Sequence, residues 1–444
     1  MAHQETLYHV AVLSNFARGF DKYALSYSKA GIPESTYPDQ FFLLRRDELH
    51  IGIEKAGALL NKLGLHGDRL IALETKIDPA VLQPNERNGK GRFICSDRIA
   101  VTGLHTVATD RDMALIPLDA EDAMAASLRL LKAQFHDFEQ IRPRSVSFLP
   151  IAMACQARCP FCFSKASIST DQPQAKVDWN QVSQWLERAQ AQGAERAVIT
   201  GGGEPTLLPR ASLERLVAES ARYFGKVVLI TNGHVLAMAP DAERIERLEA
   251  LHRAGLTVLA ISRHHHDAAN NEQLMQLATP VEQLMESWRE QRARWPRLRL
   301  RLICVLQRGG VEDRATLERY LDWAVAQGVQ EVCFKELYVS TSTESLYHDR
   351  NANAWSRAHQ VSLALVTGFA QAQGLELAER LPWGAPVYQG LWQGKPLRIA
   401  AYTEPSLFWE RTHGVARSWN VMADGACYVS LEDRASLLPR EVVA

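Results

Sequence analysis

From residue 145 onward, short runs rich in valine, isoleucine and leucine alternate with longer stretches whose apolar positions recur every three or four residues. The short runs read as strands and the longer stretches as amphipathic helices, so the chain becomes a series of βα units. Strands are predicted over 145–150, 196–200, 226–231, 257–262, 299–306 and 331–337. Helices are predicted after them, over 179–192, 213–224, 241–254, 281–294, 314–327 and 355–373. Regular alternation of this kind specifies an α/β fold with a parallel sheet, because each helix carries the chain back to the same end of the sheet.

Alternation within the strands assigns faces. Leu300, Leu302 and Cys304 share a face with Leu298, which marks that side as packed against helices and makes Cys304 core. Arg299 and Arg301 then point the other way. By the same rule Val332 and Phe334 face the helices, while Cys333 and Lys335 face inward, where an unpaired charge is costly without a ligand. Six arginines lie between Arg289 and Arg301. Their spacing across a helix end explains them as dipole partners, and an anionic substrate group meeting Arg299 or Arg301 is the alternative.

The flanks read differently. Residues 8–13 and 68–74 are predicted strands, 46–63 and 119–138 helices, and 85–91 a turn, so residues 1–140 form an α+β accessory domain. Beyond 373 the composition shifts to tryptophan, tyrosine and glycine, with Trp383, Trp392, Trp409 and Trp419 in a tail whose residues 420–430 read as a hairpin. Three segments follow: 1–140, the βα series at 141–373, and a β-containing extension at 374–444.

Charge narrows the classes of partner. The net charge is -1, so no global field draws the chain to nucleic acid, and no run approaches the roughly 20 apolar residues of a membrane span. The first residues lack the basic and apolar regions of a secretory signal, and the expected location is the cytoplasm, away from membranes.

The seven cysteines fit a reducing compartment too, and three of them lie together. Cys155, Cys159 and Cys162 have the spacing C-x3-C-x2-C directly after the first predicted strand; Cys95, Cys304, Cys333 and Cys427 stand singly. Thiolates suit zinc and iron–sulfur clusters, but a structural zinc site wants a fourth ligand of the same kind nearby, and none follows. A four-iron cubane has one iron per corner, so three thiols leave one iron open to another ligand. A non-catalytic zinc-binding or iron–sulfur-binding protein is the competing class.

This stretch resembles the radical SAM enzymes, and the likeness covers roughly residues 145–340. It implies a partial (β/α)6 TIM-like barrel with sites at the C-terminal ends of the strands. It also implies a 4Fe-4S cluster on Cys155, Cys159 and Cys162 that binds S-adenosylmethionine, splits it with one electron from a donor such as flavodoxin or ferredoxin, and so makes a hydrogen-abstracting 5′-deoxyadenosyl radical. Phe161 stands where the family usually has an aromatic before the third cysteine. The strand-two ending Gly202, Gly203 and Glu204 resembles the family's GGE motif, in which the carboxylate meets the ammonium of the methionine moiety. Thr231 and Asn232 end strand three as is common in the family. Ser262, and after it Arg263, match the polar strand-four residue that holds the carboxylate or ribose. His264, His265 and His266 then read as a polar rim.

Strand five departs from the family's adenine motif and offers only Leu306 and Gln307. Cys333 and Lys335 are the candidate catalytic residues, with Cys427 a second thiol for hydrogen return. One cysteine in the tail predicts a single cluster in the whole protein. The implied substrate is a peptide or a small metabolite, and the N-terminal segment either covers the barrel or binds a peptide leader.

Overall fold

The computed structural model describes residues 5–13, 25–26, 69–77, 100–107, 115–117, 136–151, 154–163, 177–338, 346, 349–405 and 407–440. Contacts divide the chain into two compact units, Met1–His136 with Ser340–Thr343 and Arg411–His413, and Asp137–Val339 with Glu344–Glu410 and Gly414–Ala444.

In the first unit β1 (Glu5–Leu13), β2 (Leu25–Ser26), β3 (Arg69–Ile77), β4 (Ala100–Val107) and β5 (Leu115–Pro117) form an antiparallel sheet in the order β2-β1-β3-β4-β5. Tyr8 pairs with Glu74, so the two strands expected from the sequence are neighbours in register. The helix expected over 46–63, the turn at 85–91 and nearly all of the helix expected over 119–138 lie outside the described residues.

The second unit opens with β6 (Arg142–Pro143) and continues as the predicted βα series. In order come β7 (Val146–Phe148), α1 (Trp179–Ala191), β8 (Ala197–Ile199), α2 (Arg210–Tyr223), β9 (Val227–Thr231), α3 (His234–Ala237), α4 (Asp241–Ala254) and β10 (Val258–Ser262). There follow α5 (Ala268–Met275), α6 (Val281–Gln291), β11 (Arg299–Leu306), α7 (Arg314–Ala326), β12 (Glu331–Glu336), α8 (Arg350–Ala358) and α9 (Ala364–Ala372). Strands β7 to β12 are all parallel and lie side by side in chain order.

The face assignment holds on β11, where Leu300, Leu302, Cys304 and Leu306 are buried while Arg299, Arg301, Ile303 and Val305 are more open. The inner face carries an apolar patch of Val198, Val228, Ile230, Val258, Ala260 and Ile303.

Two local expectations change. Residues 355–373 are not one helix: α8 ends at Ala358, and α9 begins at Ala364. Between them His359 stacks on Trp355 at 3.6 Å, and Gln360 forms an isolated bridge with Gln307 while its side chain donates to the Leu337 carbonyl at 3.0 Å. Tertiary hydrogen bonds outcompete the helical period there. The second change is α5, an additional helix in the β10–α6 connection, started by the Asp267 carboxylate accepting from the Asn270 N–H at 2.9 Å.

The tail enters the same sheet at both flanks. β13 (Glu376–Arg380), β14 (Pro386–Trp392) and β15 (Lys395–Tyr402) form a meander whose last strand lies parallel to β12, with Lys335 beside Tyr402. After α10 (Leu407–His413) and β16 (Val415–Ala416), which pairs with β6, β17 (Trp419–Val421) lies parallel to β7. The hairpin expected over 420–430 is closed by β18 (Cys427–Tyr428) against β17.

Ion pairs then join the flanks. Glu404, just past β15, accepts from Lys335 at 2.7 Å and from Arg417, just before β17, at 2.8 Å. Because β15 and β17 lie at opposite sides of the parallel core, that contact requires the sheet to curl round on itself. Burial raises the Glu404 pKa, but Arg417 and Lys335 outweigh it and hold the group down at about 2. The tail tryptophans pack, as expected: Trp419 lies edge-on to Trp185, and Trp383 to Trp409.

Candidate functional site

The three clustered cysteines sit on the loop that leaves β7, and that loop is fastened to the ends of the next three strands. The Ala154 carbonyl accepts from the Glu204 N–H at 2.7 Å, just beyond β8. Asn232, at the end of β9, donates its amide to Gln156 Oε1 at 3.3 Å and lies 3.8 Å from Cys155 Sγ. Phe161 is buried and meets the His264 ring edge-on at 5.1 Å, beyond β10. The Met275 carbonyl, at the end of α5, accepts from the Arg158 N–H at 3.0 Å.

The glycines belong to this fastening. A Cβ on Gly203 would lie 2.2 Å from the Ala154 carbonyl oxygen and 2.7 Å from Ile151 Cγ2, and one on Gly202 would lie 2.7 Å from the Ile151 carbonyl oxygen. Their immediate role is therefore to let two backbones touch, which only a residue without a side chain permits. In the same way Phe161 acts in this structure as a packing residue.

Glu204 is the hub beneath the loop. It is buried, and Oε1 accepts from the Thr206 N–H at 3.0 Å, the Thr206 hydroxyl at 2.6 Å and the Thr231 hydroxyl at 2.5 Å. Among the described residues Oε2 accepts only from the Asn232 N–H, at 2.8 Å. A carboxylate offers about four acceptor positions, two on each oxygen, so one on Oε2 is left for a cationic ligand. Thr231 acts through Glu204. Asn232 and Thr206 join the cysteine loop, Glu204 and Thr231 in one bonded network; the Thr206 signal was its place two residues after the glutamate, where its N–H meets the capping carboxylate.

The end of strand four separates its two candidates. Ser262 is half-buried on the inner face, in register with Ile303. Arg263 takes the opposite direction, which corrects its expected place beside the cofactor. It is 1% exposed, donates to Glu282 Oε1 of α6 at 2.9 Å and to the His266 carbonyl at 3.1 Å, and lies over the Trp323 ring of α7. Strand alternation turns neighbours to opposite faces, so only one of the pair can face inward.

The histidines divide as well. His264 is buried and accepts the Val305 N–H at Nδ1, 3.0 Å away, which places its ring proton on Nε2; burial, with Arg263 adding to it, lowers its pKa to about 3. His265 accepts the Asp267 N–H at 3.0 Å. Neither arrangement is that of a metal ligand set.

On the remaining strands Gln307 is fully buried, with its Nε2 lacking a partner among the described residues and its Oε1 accepting from Trp355 at 3.4 Å. Cys333 shares the inner face with Ile303, and burial raises its thiol pKa. Lys335 is on that face too, but Glu404 already balances its charge. Cys427 is fully buried in β18, with its pKa pushed up by burial.

Could a cluster sit on the loop? None of the described cysteines is in a disulfide, Cys155 is exposed, and Cys159 and Cys162 are half-buried. Burial raises the Cys155 pKa, and the charges of Glu204 and Cys162 raise it further. Among the described residues no three His, Cys, Asp or Glu side chains converge closely enough to hold a metal ion. The fit is one of donor chemistry and of loop anchoring: three soft ligands, on one short loop, at the C-terminal ends of parallel strands.

Comparison with known proteins gives these likenesses. Residues 149–323 match the family model described as "Radical SAM superfamily". A curated relative, GTP 3′,8-cyclase of Aquifex aeolicus (strain VF5), is 26% identical over 148 residues, which is 33% of this chain and 43% of that protein. The chain thus spans about two-fifths of the length of that relative. Streptococcus suis SuiB bound to S-adenosylmethionine is similar over 70% of this chain and 65% of its own, at 14% identity and a TM-score of 0.43. SuiB bound to its precursor peptide SuiA is similar over 73% and 68%, at 14% identity and a TM-score of 0.40.

Proposed function

From the premise that this chain belongs, through its barrel segment, to the radical SAM superfamily, we propose that it is an enzyme that abstracts a hydrogen atom from a small metabolite or a peptide. Cys155, Cys159 and Cys162 would hold one 4Fe-4S cluster, and Oε2 of Glu204 would receive the ammonium of S-adenosylmethionine. When bound, the pair supplies reductive cleavage of the sulfonium, with the electron delivered by a flavodoxin or ferredoxin, and a 5′-deoxyadenosyl radical as the hydrogen acceptor.

The protein's own residues position these groups. Gly202 and Gly203 seat the cysteine loop, Thr231 and Asn232 fix Glu204, and Ser262 offers a hydroxyl from the inner face. A correctly aligned C–H bond is the kinetic contribution of such a scaffold, because rate falls steeply with misplacement. Cys333 and Lys335 face the substrate space. Burial keeps the Cys333 sulfur protonated, which is the form that can return a hydrogen atom. The observation that carries this reading is the fastening of the three-thiol loop to three successive strand ends.

The test is anaerobic reconstitution with iron and sulfide, followed by incubation with reductant and S-adenosylmethionine. Formation of 5′-deoxyadenosine, abolished by Cys155→Ala, Cys159→Ala and Cys162→Ala, is the expected result. A colourless protein holding stoichiometric zinc after oxygen-free purification would overturn the reading. Cys333→Ala in deuterated solvent tests hydrogen return: unchanged product and unchanged label uptake exclude that thiol.

A further inference from the structure

The N-terminal end of the parallel strands carries a group of cations that the chemistry above does not use. Arg196 and Lys226 stand two residues before Val198 and Val228, which belong to the inner apolar patch, so both extend the inner face. Arg299 and Arg301 lie on that face of β11, and Glu331 of β12 is in register with Arg301.

Glu331 is fully engaged. Arg299 Nη1 donates to its Oε1 at 2.8 Å, and Arg301 donates to its Oε2 from Nη2 at 2.6 Å and from Nε at 3.0 Å. The side chains of Arg196 and Lys226 have no hydrogen bond or ion pair among the described residues, although both residues are half-buried. Four cations less one carboxylate leave a charge of 4 − 1 = +3 on this face.

Lys226 lies within the field of its cationic neighbours. Burial, then Arg196, Arg301 and Arg299, lower the Lys226 pKa to about 8; burial, then Arg144, lower that of Arg196. Unpaired cations crowded beside a saturated ion pair are costly unless an anion completes the set.

We propose that this end of the barrel is an oxyanion site of the phosphate-ester class, held by Arg196 and Lys226 with Arg299 assisting. A guanidinium and an ammonium suit two oxygens of one tetrahedral dianion, and the excess charge exceeds what a single carboxylate would neutralise. The inference rests on the proposed function and sharpens it, because the substrate is then an anionic small metabolite.

The experiment titrates the full, anaerobically reconstituted chain with inorganic phosphate and with ribose 5-phosphate at low ionic strength, read by calorimetry and by the ligand's phosphorus NMR signal. No S-adenosylmethionine is present, so failure here and failure of cofactor cleavage are separate results. Saturable binding is expected, weakened about tenfold or more by Arg196→Gln and by Lys226→Gln, the value of one charge-assisted hydrogen bond. Glu331→Gln, which releases two guanidinium groups, tightens it. Thermal unfolding is the second readout: without phosphate Lys226→Gln melts no lower than wild type, and phosphate raises the wild-type midpoint more than that of the variant. Tighter binding of the ester than of the inorganic ion assigns the site to substrate; equal binding assigns it to the free ion, and both support the site. Phosphate binding that is non-saturable, or that is equal in wild type and both variants, overturns it.

Discussion

Gly203→Ala separates the anchoring role of the glycine loop from any ligand-binding role. The added Cβ would stand 2.2 Å from the Ala154 carbonyl oxygen, 2.7 Å from Ile151 Cγ2 and 3.0 Å from the Ala154 carbonyl carbon. Two of these three neighbours are backbone, so relief requires the cysteine loop to lift. Lifting it breaks the 2.7 Å bond from the Glu204 N–H to the Ala154 carbonyl.

Overpacking of this kind costs about 1–3 kcal/mol, and a buried hydrogen bond left unmade costs about 1–3 kcal/mol more. The sum, about 2–6 kcal/mol, is a large share of the stability of an ordinary domain. Gly368→Ala is the control: it lies in α9 with open space around its would-be Cβ, and helix propensity predicts a gain of about 0.5–1 kcal/mol. Urea unfolding of the two variants, with the rate of Cys155 modification by a thiol reagent as a local probe, gives the comparison. The expected result is loss of stability and faster Cys155 labelling in Gly203→Ala alone. Indistinguishable unfolding midpoints and labelling rates in the two variants would refute the reasoning.

Other outcomes follow from single groups. Arg263→Met removes the bonds to Glu282 and the His266 carbonyl and costs about 1–3 kcal/mol in urea unfolding, while the affinity for S-adenosylmethionine measured by equilibrium dialysis is unchanged. Lost affinity with wild-type stability would return Arg263 to the cofactor. Burial raises the Glu410 pKa to about 8, so its folded form keeps a proton that the unfolded chain releases above about 4.5. Its contribution is complete below that value and is lost as pH rises through about 8; Glu410→Gln, whose amide oxygen can still accept the Arg417 N–H, flattens that alkaline decline in a melting-temperature series. His264 has the opposite sign. Its pKa falls from 6.5 to about 3, so stability is present above 6.5 and lost as pH drops towards 3, and His264→Asn removes that slope from denaturation curves between neutral and acid pH.

Much of the barrel was legible because its information is local. The helix and strand periods located the βα series, and the alternation on β11 assigned Cys304 to the core and Arg299 and Arg301 to the inner face. The same alternation, applied to strand four, would have turned Arg263 away once Ser262 was placed inward. The break between α8 and α9 had no such signal, since the residues at 359–363 yield to partners on distant strand ends.

The sequence by itself determined the parallel βα order and the presence of three thiols on one short loop directly after the first strand. Both depend on spacing along the chain, which folding does not alter. Only the tertiary structure decided that Gly203 seats the cysteine loop, that Glu204 keeps one acceptor position on Oε2, and that Lys335 is neutralised by Glu404. It alone decided that Glu331 is spent on Arg299 and Arg301 while the side chains of Arg196 and Lys226 find no partner among the described residues. Those outcomes depend on which distant groups come within hydrogen-bonding reach. A charge or a glycine has the same identity in any sequence, but its energy and its chemistry come from what the fold sets against it.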